Sequence, residues 1–296
     1  MIAFSRNRSA RNVLAVALGA TLGCAHTAPP TATNSTTGST GSWVQVWSDE
    51  FDGAANTPLD TTKWSFDKAD GCAVGNCGWG NNEKEYYTDA PENIALNGQG
   101  QLMIVARTAP AGLNCYYGAC RYTSAKITTR GKMNAAPGRV EARIKLAAGQ
   151  GLWPAFWMLG SNFPATPWPQ CGELDIMENH GSNVASTSSA VHGPGYSGNT
   201  PFVHAFTLSS RTFADDFHVF AVEWNPIEIQ FFVDNVVHYS VTRSQAEQFG
   251  AWVFDQPFFV VLNLAVGGNF DRDPASDAIF PATMLVDYVR VYKWSK

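Results

Sequence analysis

The amino-acid sequence predicts an all-β fold, built as an antiparallel sandwich or barrel. Short runs rich in β-branched and aromatic residues recur after position 43, turn residues separate them, and only the segment 244–249 has a helical pattern. The crossover helices that a parallel α/β fold requires are therefore missing. With 45% apolar and 15% charged residues among 296, the chain has ample material for a core.

The clearest strand pattern covers 139–146, where polar and apolar residues alternate without a break. This alternation predicts that Val140, Ala142 and Ile144 face the core together. Turn signals such as Asn225-Pro226 and the glycine pair at 267–268 bound the other runs. The remaining predicted strands are 102–106, 217–224, 227–233, 236–241, 258–266 and 285–292.

The first 42 residues have the composition of an export signal followed by a linker. Three arginines precede a largely apolar run at 13–22, so residues 1–24 are predicted to be a secretory signal peptide. Residues 21–24 resemble a bacterial lipobox, which predicts lipidation of Cys24, and ordinary cleavage after Ala25 or Ala28 is the alternative. Residues 25–42, of which 14 are Thr, Ser, Pro, Gly or Asn, are predicted to be a flexible linker. We therefore expect an exported or envelope-anchored protein with one folded domain over 43–296.

The charge of the chain argues against a nucleic-acid partner. The formal net charge is −5 at pH 7, and it becomes −8 without the three arginines of the predicted signal. Nucleic-acid binding needs clustered cations that replace counterions. We expect no nucleic acid, a membrane contact only through the predicted lipid anchor, and a monomer.

Five cysteines follow the signal, which fits an oxidising compartment. The spacing favours disulfides between Cys72 and Cys77 and between Cys115 and Cys120, although four cysteines allow three connectivities. Zinc is disfavoured because neither pair forms a CxxC motif and no histidine lies nearby. Cys171 is left as a small buried packing residue.

Three acids lie close together at Glu173, Asp175 and Glu178. On a regular strand the first two share a face and Glu178 points the other way, but a β-bulge at Ile176-Met177 returns Glu178 to that face. Like charges on one face repel, so such a row favours a functional role. One ionised and one protonated carboxyl suit glycoside hydrolysis. The alternatives are a solvated acidic edge strand and a Ca²⁺ site.

The segment Glu-Leu-Asp-Ile-Met-Glu at 173–178 resembles the ExDxxE signature of glycoside hydrolase family 16. Its additional Met is typical of the laminarinase-like branch and is absent from the lichenase-type branch. Further segments that resemble the family, in order and spacing, are 47–51, 81–83, 122–125, 151–159, 192–195, 263–268 and 286–292.

The resemblance implies a β-jelly-roll of two curved antiparallel sheets with a concave cleft. It also implies an endo-acting, retaining hydrolase of β-1,3-glucan that needs no cofactor for catalysis. By the family pattern Glu173 is the nucleophile, Glu178 the general acid/base and Asp175 the assisting acid. His192 matches a family histidine near the acid/base.

Several further positions resemble the sugar-binding residues of the family. Trp153 and Trp157 alternate, so both indoles face one side of a strand, where they line a cleft or pack in a core. The resemblance favours the cleft, and Trp168 is a weaker candidate of the same kind. Arg130 and Asn81 resemble family positions that contact the donor-side sugars. Lys126 stands where many relatives have Arg, and this departure leaves one sugar contact of the family pattern open.

The resemblance further implies a structural Ca²⁺ ion on the convex face. The corresponding positions are Glu50, Gly98 and Asp287, and an ordinary salt bridge is the alternative role for Asp287.

Two rival functions remain open at the level of sequence. A non-catalytic β-glucan-binding protein on the same scaffold would keep the tryptophans and lose the acids. A hydrolase or transglycosylase of the same fold could act on β-1,3-1,4-glucan, agar, carrageenan or xyloglucan. A net charge of −8 disfavours the sulfated galactans among these substrates.

Overall fold

The computed structural model describes residues 41–296, which form nineteen strands, one turn of α-helix and four short 3-10 helices. The 3-10 helices are Cys72–Val74, Cys77–Gly80, Gly181–Asn183 and Asp277–Ile279. The predicted signal peptide 1–24, its Cys24 and the linker residues 25–40 lie outside the described residues. The strands are β1 Ser42–Asp49, β2 Ser65–Asp67, β3 Glu85–Tyr87, β4 Ile94–Leu96, β5 Leu102–Thr108, β6 Asn114–Cys115, β7 Gly118–Ala119, β8 Tyr122–Ser124, β9 Lys126–Thr128, β10 Arg139–Lys145, β11 Leu152–Gly160, β12 Glu173–Asn179, β13 Ser186–His192, β14 Phe202–Thr207, β15 His218–Trp224, β16 Glu228–Val233, β17 Val236–Thr242, β18 Phe258–Val266 and β19 Ala282–Ser295.

Two large sheets carry the fold. The outer sheet has ten strands in the order β17-β16-β15-β10-β19-β5-β8-β3, with β1 added on β19 and β4 on β5. The site sheet has seven strands in the order β14-β13-β12-β11-β18-β9-β2. Every pairing is antiparallel except that between β3 and β8. The predicted all-β sandwich is confirmed, and the parallel pair is a feature that the sequence pattern does not predict.

The core lies between the two sheets. Val140, Ala142 and Ile144 of β10 are fully buried in it, which confirms the face predicted from alternation. From the other side the nine residues of β18 are all buried, because this strand is central in the site sheet. The rings of Trp224 and Phe258 meet across the core at 6.2 Å, edge to face. Each fully buried large apolar side chain contributes about 1.5–3 kcal/mol to the stability of the fold.

The strands differ from their predicted bounds mainly where a strand has several partners. The predicted strand 285–292 is longer, Ala282–Ser295, because β19 pairs with β1, β5 and β10. The predicted helix over 244–249 is a single turn, Arg243–Ala246, started by a capping box between Thr242 and Gln245. Among residues 41–296 no helix is long and apolar enough to cross a membrane.

The first and last described strands lie side by side in the outer sheet. Ser42 pairs with Ser295, and the rings of Trp43 and Trp294 pack edge to face at 5.1 Å. The two ends of the described chain therefore leave the outer sheet next to each other.

Candidate active site

The acidic strand β12 contains the predicted bulge. Its pairing with β13 passes from Asp175 opposite Ala190 to Glu178 opposite Ser188, so two residues of β12 face one residue of β13. The side chains of Ile176 and Met177 both pack in the core. The bulge thus shifts the alternation by one residue and brings Glu178 to the face of the other two acids.

A glycine turn leads into this strand. Gly172 has a φ of 76°, in the left-handed region that favours glycine, and its carbonyl accepts a hydrogen bond from the N–H of Gly160. A Cβ at this position would lie 2.9 Å from a methyl carbon of Val253. A larger residue at 172 would therefore strain the turn that places Glu173.

The three carboxylates lie against one histidine and one tryptophan. The Nε2 atom of His192 is 3.0 Å from Oδ2 of Asp175 and 4.0 Å from Oε1 of Glu173. Trp153 donates its indole N–H to Oε1 of Glu178 at 3.0 Å. His192 of β13 and Trp153 of β11 reach the acids because their strands flank β12 in the site sheet.

Burial raises the pKa of all three acids. Burial first, and then the Asp175 charge, raise the pKa of Glu173 to about 8, against the opposing effect of His192 and Lys126. Burial raises the pKa of Asp175 to about 7. Burial and the charges of Asp175 and Glu173 raise the pKa of Glu178 well above its usual range. Near neutral pH the cluster therefore retains protons, which is the condition for a carboxyl group to act as a general acid.

Two basic side chains nearby favour ionisation of Glu173. His192 and Lys126 both lower its pKa, and His192 also lowers the pKa of Glu178. Glu173 is thus the better candidate for the ionised carboxylate, and Glu178 for the protonated carboxyl. This division of roles is the one that two-carboxylate glycoside hydrolysis requires.

A metal ion could also be held at this point. The ligand atoms of Glu173, Asp175 and His192 all lie within 4.8 Å of one another, the one such group among the described residues. The acid–base chemistry above uses the same atoms without a metal.

The two tryptophans of β11 have different surroundings. Trp153 stacks on Phe270 at 4.5 Å, and His180 stacks on the other face of Phe270 at 3.8 Å. Trp157 donates its indole N–H to Oδ1 of Asn263 at 2.7 Å. One ring face of Trp153 is therefore covered by protein, and its N–H is directed to the acid/base candidate.

A lysine lies between two indole rings beside the acids. The Nζ atom of Lys126 is 4.2 Å from the ring centre of Trp79 and 5.0 Å from that of Trp157. Cation–π contacts of this kind hold an ammonium group in a partly desolvated place. Lys126 is thus fixed close enough to Glu173 to lower its pKa.

The remaining sequence candidates lie around this centre. Trp168 is 42% exposed, with its ring 6.1 Å from that of His192. Asn81 donates to Oε1 of the buried Glu83 at 3.2 Å. Arg130 is paired with Asp67 of β2, at the edge of the site sheet.

Three contacts of the site were not predicted from the sequence. Asn263 is a polar residue inside the fully buried strand β18, which is a signal that could have found it. Trp79 lies in a short 3-10 helix, Cys77–Gly80, and Phe270 in a turn, and both are far along the chain from Lys126 and Trp153, which they contact. No periodicity marks such residues.

The cysteines lie away from the acidic strand, apart from one that precedes it. Cys72 is bonded to Cys77 and Cys115 to Cys120, the pairing that the spacing favours. Cys171 is a buried free thiol, as expected for a packing residue.

The two carboxylates among the predicted calcium positions form ion pairs. Glu50 is bound by the guanidinium of Arg290 at 2.8 Å, and Asp287 by Arg143 at 2.8 Å. The arginines supply the positive charge at these carboxylates, which is the salt-bridge arrangement. The Ca²⁺ ion at Glu50, Gly98 and Asp287 stays a prediction.

A β-sandwich with three carboxylates on one face of a strand, beside two tryptophans of the next strand, has the architecture of a glycoside hydrolase. The sequence profile described as "Glycosyl hydrolases family 16" matches residues 76–290. The chain therefore belongs to this family, and the resemblance predicted from its motifs is confirmed.

Similar proteins cover most of the chain. A protein named "Beta-glucanase" from Rhodothermus marinus is 41% identical over 259 residues, covering 85% of this chain and 86% of that protein. The laminarinase catalytic domain from Thermotoga maritima has a TM-score of 0.79 at 43% identity, covering 85% of this chain and 98% of that one. The endo-beta-1,3-glucanase from Pyrococcus furiosus has a TM-score of 0.81 at 45% identity, covering 86% of this chain and 95% of that one.

Proposed function

We propose that this glycoside hydrolase cleaves β-1,3-glucan at internal bonds with retention of configuration. The observation that carries the proposal is the cluster on β12, where Glu173, Asp175 and Glu178 share one face and burial raises the pKa of Glu178 to that of a proton donor. The names of the similar proteins from Rhodothermus marinus, Thermotoga maritima and Pyrococcus furiosus support the substrate.

The proposed reaction has two steps. Glu173 attacks the anomeric carbon while Glu178 gives its proton to the leaving glycosidic oxygen, so the glycosidic bond breaks and a glycosyl ester forms on Glu173. Glu178, now ionised, takes a proton from water, and the water oxygen attacks the same carbon and frees Glu173. Asp175 lies between the two and influences the pKa of each.

The substrate is tested by incubating the full chain with laminarin, lichenan, agarose, carrageenan and xyloglucan. We expect reducing ends from laminarin, released first as oligosaccharides of mixed length. Proton NMR should show β-configured product ends before mutarotation. Activity confined to another polysaccharide, or α-configured first products, would contradict the proposal.

The roles of Glu173 and Glu178 are distinguished by azide rescue of alanine variants, with an aryl β-laminaribioside as the substrate. Glu173→Ala should give the α-glycosyl azide, because azide then attacks the substrate directly. Glu178→Ala should give the β-glycosyl azide, because azide attacks the ester on Glu173. The matched control is Glu92→Gln on the surface, which should keep wild-type activity; the opposite azide products would reverse the two roles.

We also propose that the chain is exported and anchored through Cys24. The basic and apolar pattern of residues 1–24 supports this, together with two disulfides in the folded part. Mass spectrometry of the mature N-terminus tests it. A terminus downstream of Cys24 refutes the lipid anchor.

A further inference from the structure

The bulge of β12 leaves one residue outside the pairing of the sheet. Neither the residue pairs between β11 and β12 nor those between β12 and β13 include Ile176. Its side chain is 1% exposed in the core. The carbonyl of a buried residue needs a hydrogen-bond donor, and Ile176 is outside the register of both neighbouring strands.

The hydroxyl of Ser189 supplies that donor. Ser189 is the one residue of β13 that lies opposite the two-residue bulge, and it is 1% exposed. Its Oγ donates to the carbonyl oxygen of Ile176 at 2.8 Å. A serine hydroxyl has a single proton, so a second polar neighbour of this oxygen must be a donor.

The second neighbour is His238. Its Nε2 lies 3.1 Å from Oγ of Ser189, so Nε2 carries the hydrogen. Its Nδ1 is buried, with no hydrogen-bond partner among the described residues. Burial, and then the neighbouring His204, lower the pKa of His238 to about 4. The ring is therefore neutral above that pH, in the tautomer that donates to Ser189.

His238 reaches the site sheet because the outer sheet is also bulged. The pairing of β16 with β17 passes from Phe231 opposite Tyr239 to Phe232 opposite Val237, and His238 is the residue left out. A bulge redirects a side chain out of the regular alternation. The rings of His204 and Phe206 of β14 lie 5.8 and 5.5 Å from the redirected imidazole, and His204 is the one titratable group among these neighbours.

We propose that Ser189 and His238 are positioning residues that hold the β12 bulge in the conformation placing Glu178 beside Asp175. This inference rests on the proposed role of Glu178 as the acid/base. Ser189 lies on the core-facing side of β13, opposite the face that carries His192, and so does not touch the substrate. The pair acts through the backbone of Ile176.

The test is the kinetics of Ser189→Ala and His238→Phe in the full chain with laminarin. We expect kcat to fall roughly tenfold to a hundredfold, since displacements of about 1 Å have effects of this size, with KM within about twofold. The alkaline limb of the pH–rate profile should move toward lower pH, because Glu178 loses part of the repulsion from Asp175. His238→Gln should restore much of kcat, because its amide keeps an N–H donor.

The matched control is His204→Phe, which keeps a ring beside His238 and leaves the serine contact intact. It should keep the wild-type kcat and pH profile. Unchanged kcat and pH profiles in Ser189→Ala and His238→Phe, with only a lower melting temperature, would show a merely structural role and overturn the proposal.

A second measurement is independent of activity. Nitrogen-15 NMR of the histidine rings, with His238→Phe to assign the signal, should show hydrogen on Nε2 and a bare Nδ1 at pH 6. Hydrogen on Nδ1, or a charged ring, would overturn the proposed contact even if the enzyme is active. Wild-type protein that releases no reducing ends from laminarin would instead refute the proposed function, while the NMR result still decides the contact.

Discussion

Replacing Glu173 with glutamine should stabilise the fold, and more strongly as the pH rises. Burial raises the pKa of Glu173 from 4.5 to about 8 in the folded state. Between these values the unfolded chain loses this proton and the folded chain keeps it. The free energy of unfolding of the wild type therefore falls through this range, whereas the Glu173→Gln variant has no proton to lose at this position.

The size of the effect follows from the same pKa values. A tenfold change in an equilibrium constant corresponds to about 1.4 kcal/mol. The rise in the pKa of Glu173 from 4.5 to about 8 therefore limits the gain in the free energy of unfolding to about 5 kcal/mol above pH 8. The side chain is 18% exposed, and solvent screening lowers the gain to roughly 2–3 kcal/mol. For a domain of this size we expect a rise in melting temperature of about 5–10 °C at pH 9.

Scanning calorimetry of the wild type and Glu173→Gln at pH 4 and pH 9 measures this difference. The control is Glu92→Gln, which removes an exposed carboxylate and should change the melting temperature by less than about 2 °C at either pH. A gain of stability that is equal at pH 4 and pH 9 would refute the reasoning. It would show that the benefit comes from packing and not from the buried charge.

Three further predictions concern the neighbours of the acids and a disulfide. Trp153→Phe keeps the stacked ring and removes the hydrogen bond that lowers the pKa of Glu178, so the alkaline limb of kcat should move to higher pH; an unmoved limb would contradict this. Lys126→Met removes a charge that lowers the pKa of Glu173, so the acidic limb should move to higher pH, and Lys126→Arg should keep it in place. Replacing both cysteines of the 115–120 disulfide with alanine should cost about 2 kcal/mol in urea unfolding, and no change would show that the loop is ordered without it.

The local patterns of the sequence predicted the strands and the acid row. The alternation in β10 predicts its core face, because the apolar residues of the strand point to one side and its charged residues to the other. The bulge could be predicted because the acids at 173, 175 and 178 share a face only if one residue is inserted into the alternation.

The supporting contacts could not be predicted in the same way. Ser189 and His238 are 49 residues apart, and each looks like an ordinary strand residue in its own segment. Phe270 lies in an irregular segment and meets Trp153 only through tertiary packing. Such contacts depend on how the two sheets pack against each other, and no local periodicity of the sequence encodes this packing.

The pairing of Ser42 with Ser295 has a practical consequence for fusion and immobilisation of the enzyme. A tag, a second domain or a solid support joined at Lys296 would emerge beside the point where the chain enters the fold. Both points are on the outer sheet, whereas the acids are on the site sheet. Immobilisation through the C-terminus should therefore leave a long polymer free to reach the acids, and joining the two ends by a short linker offers a route to circular permutation.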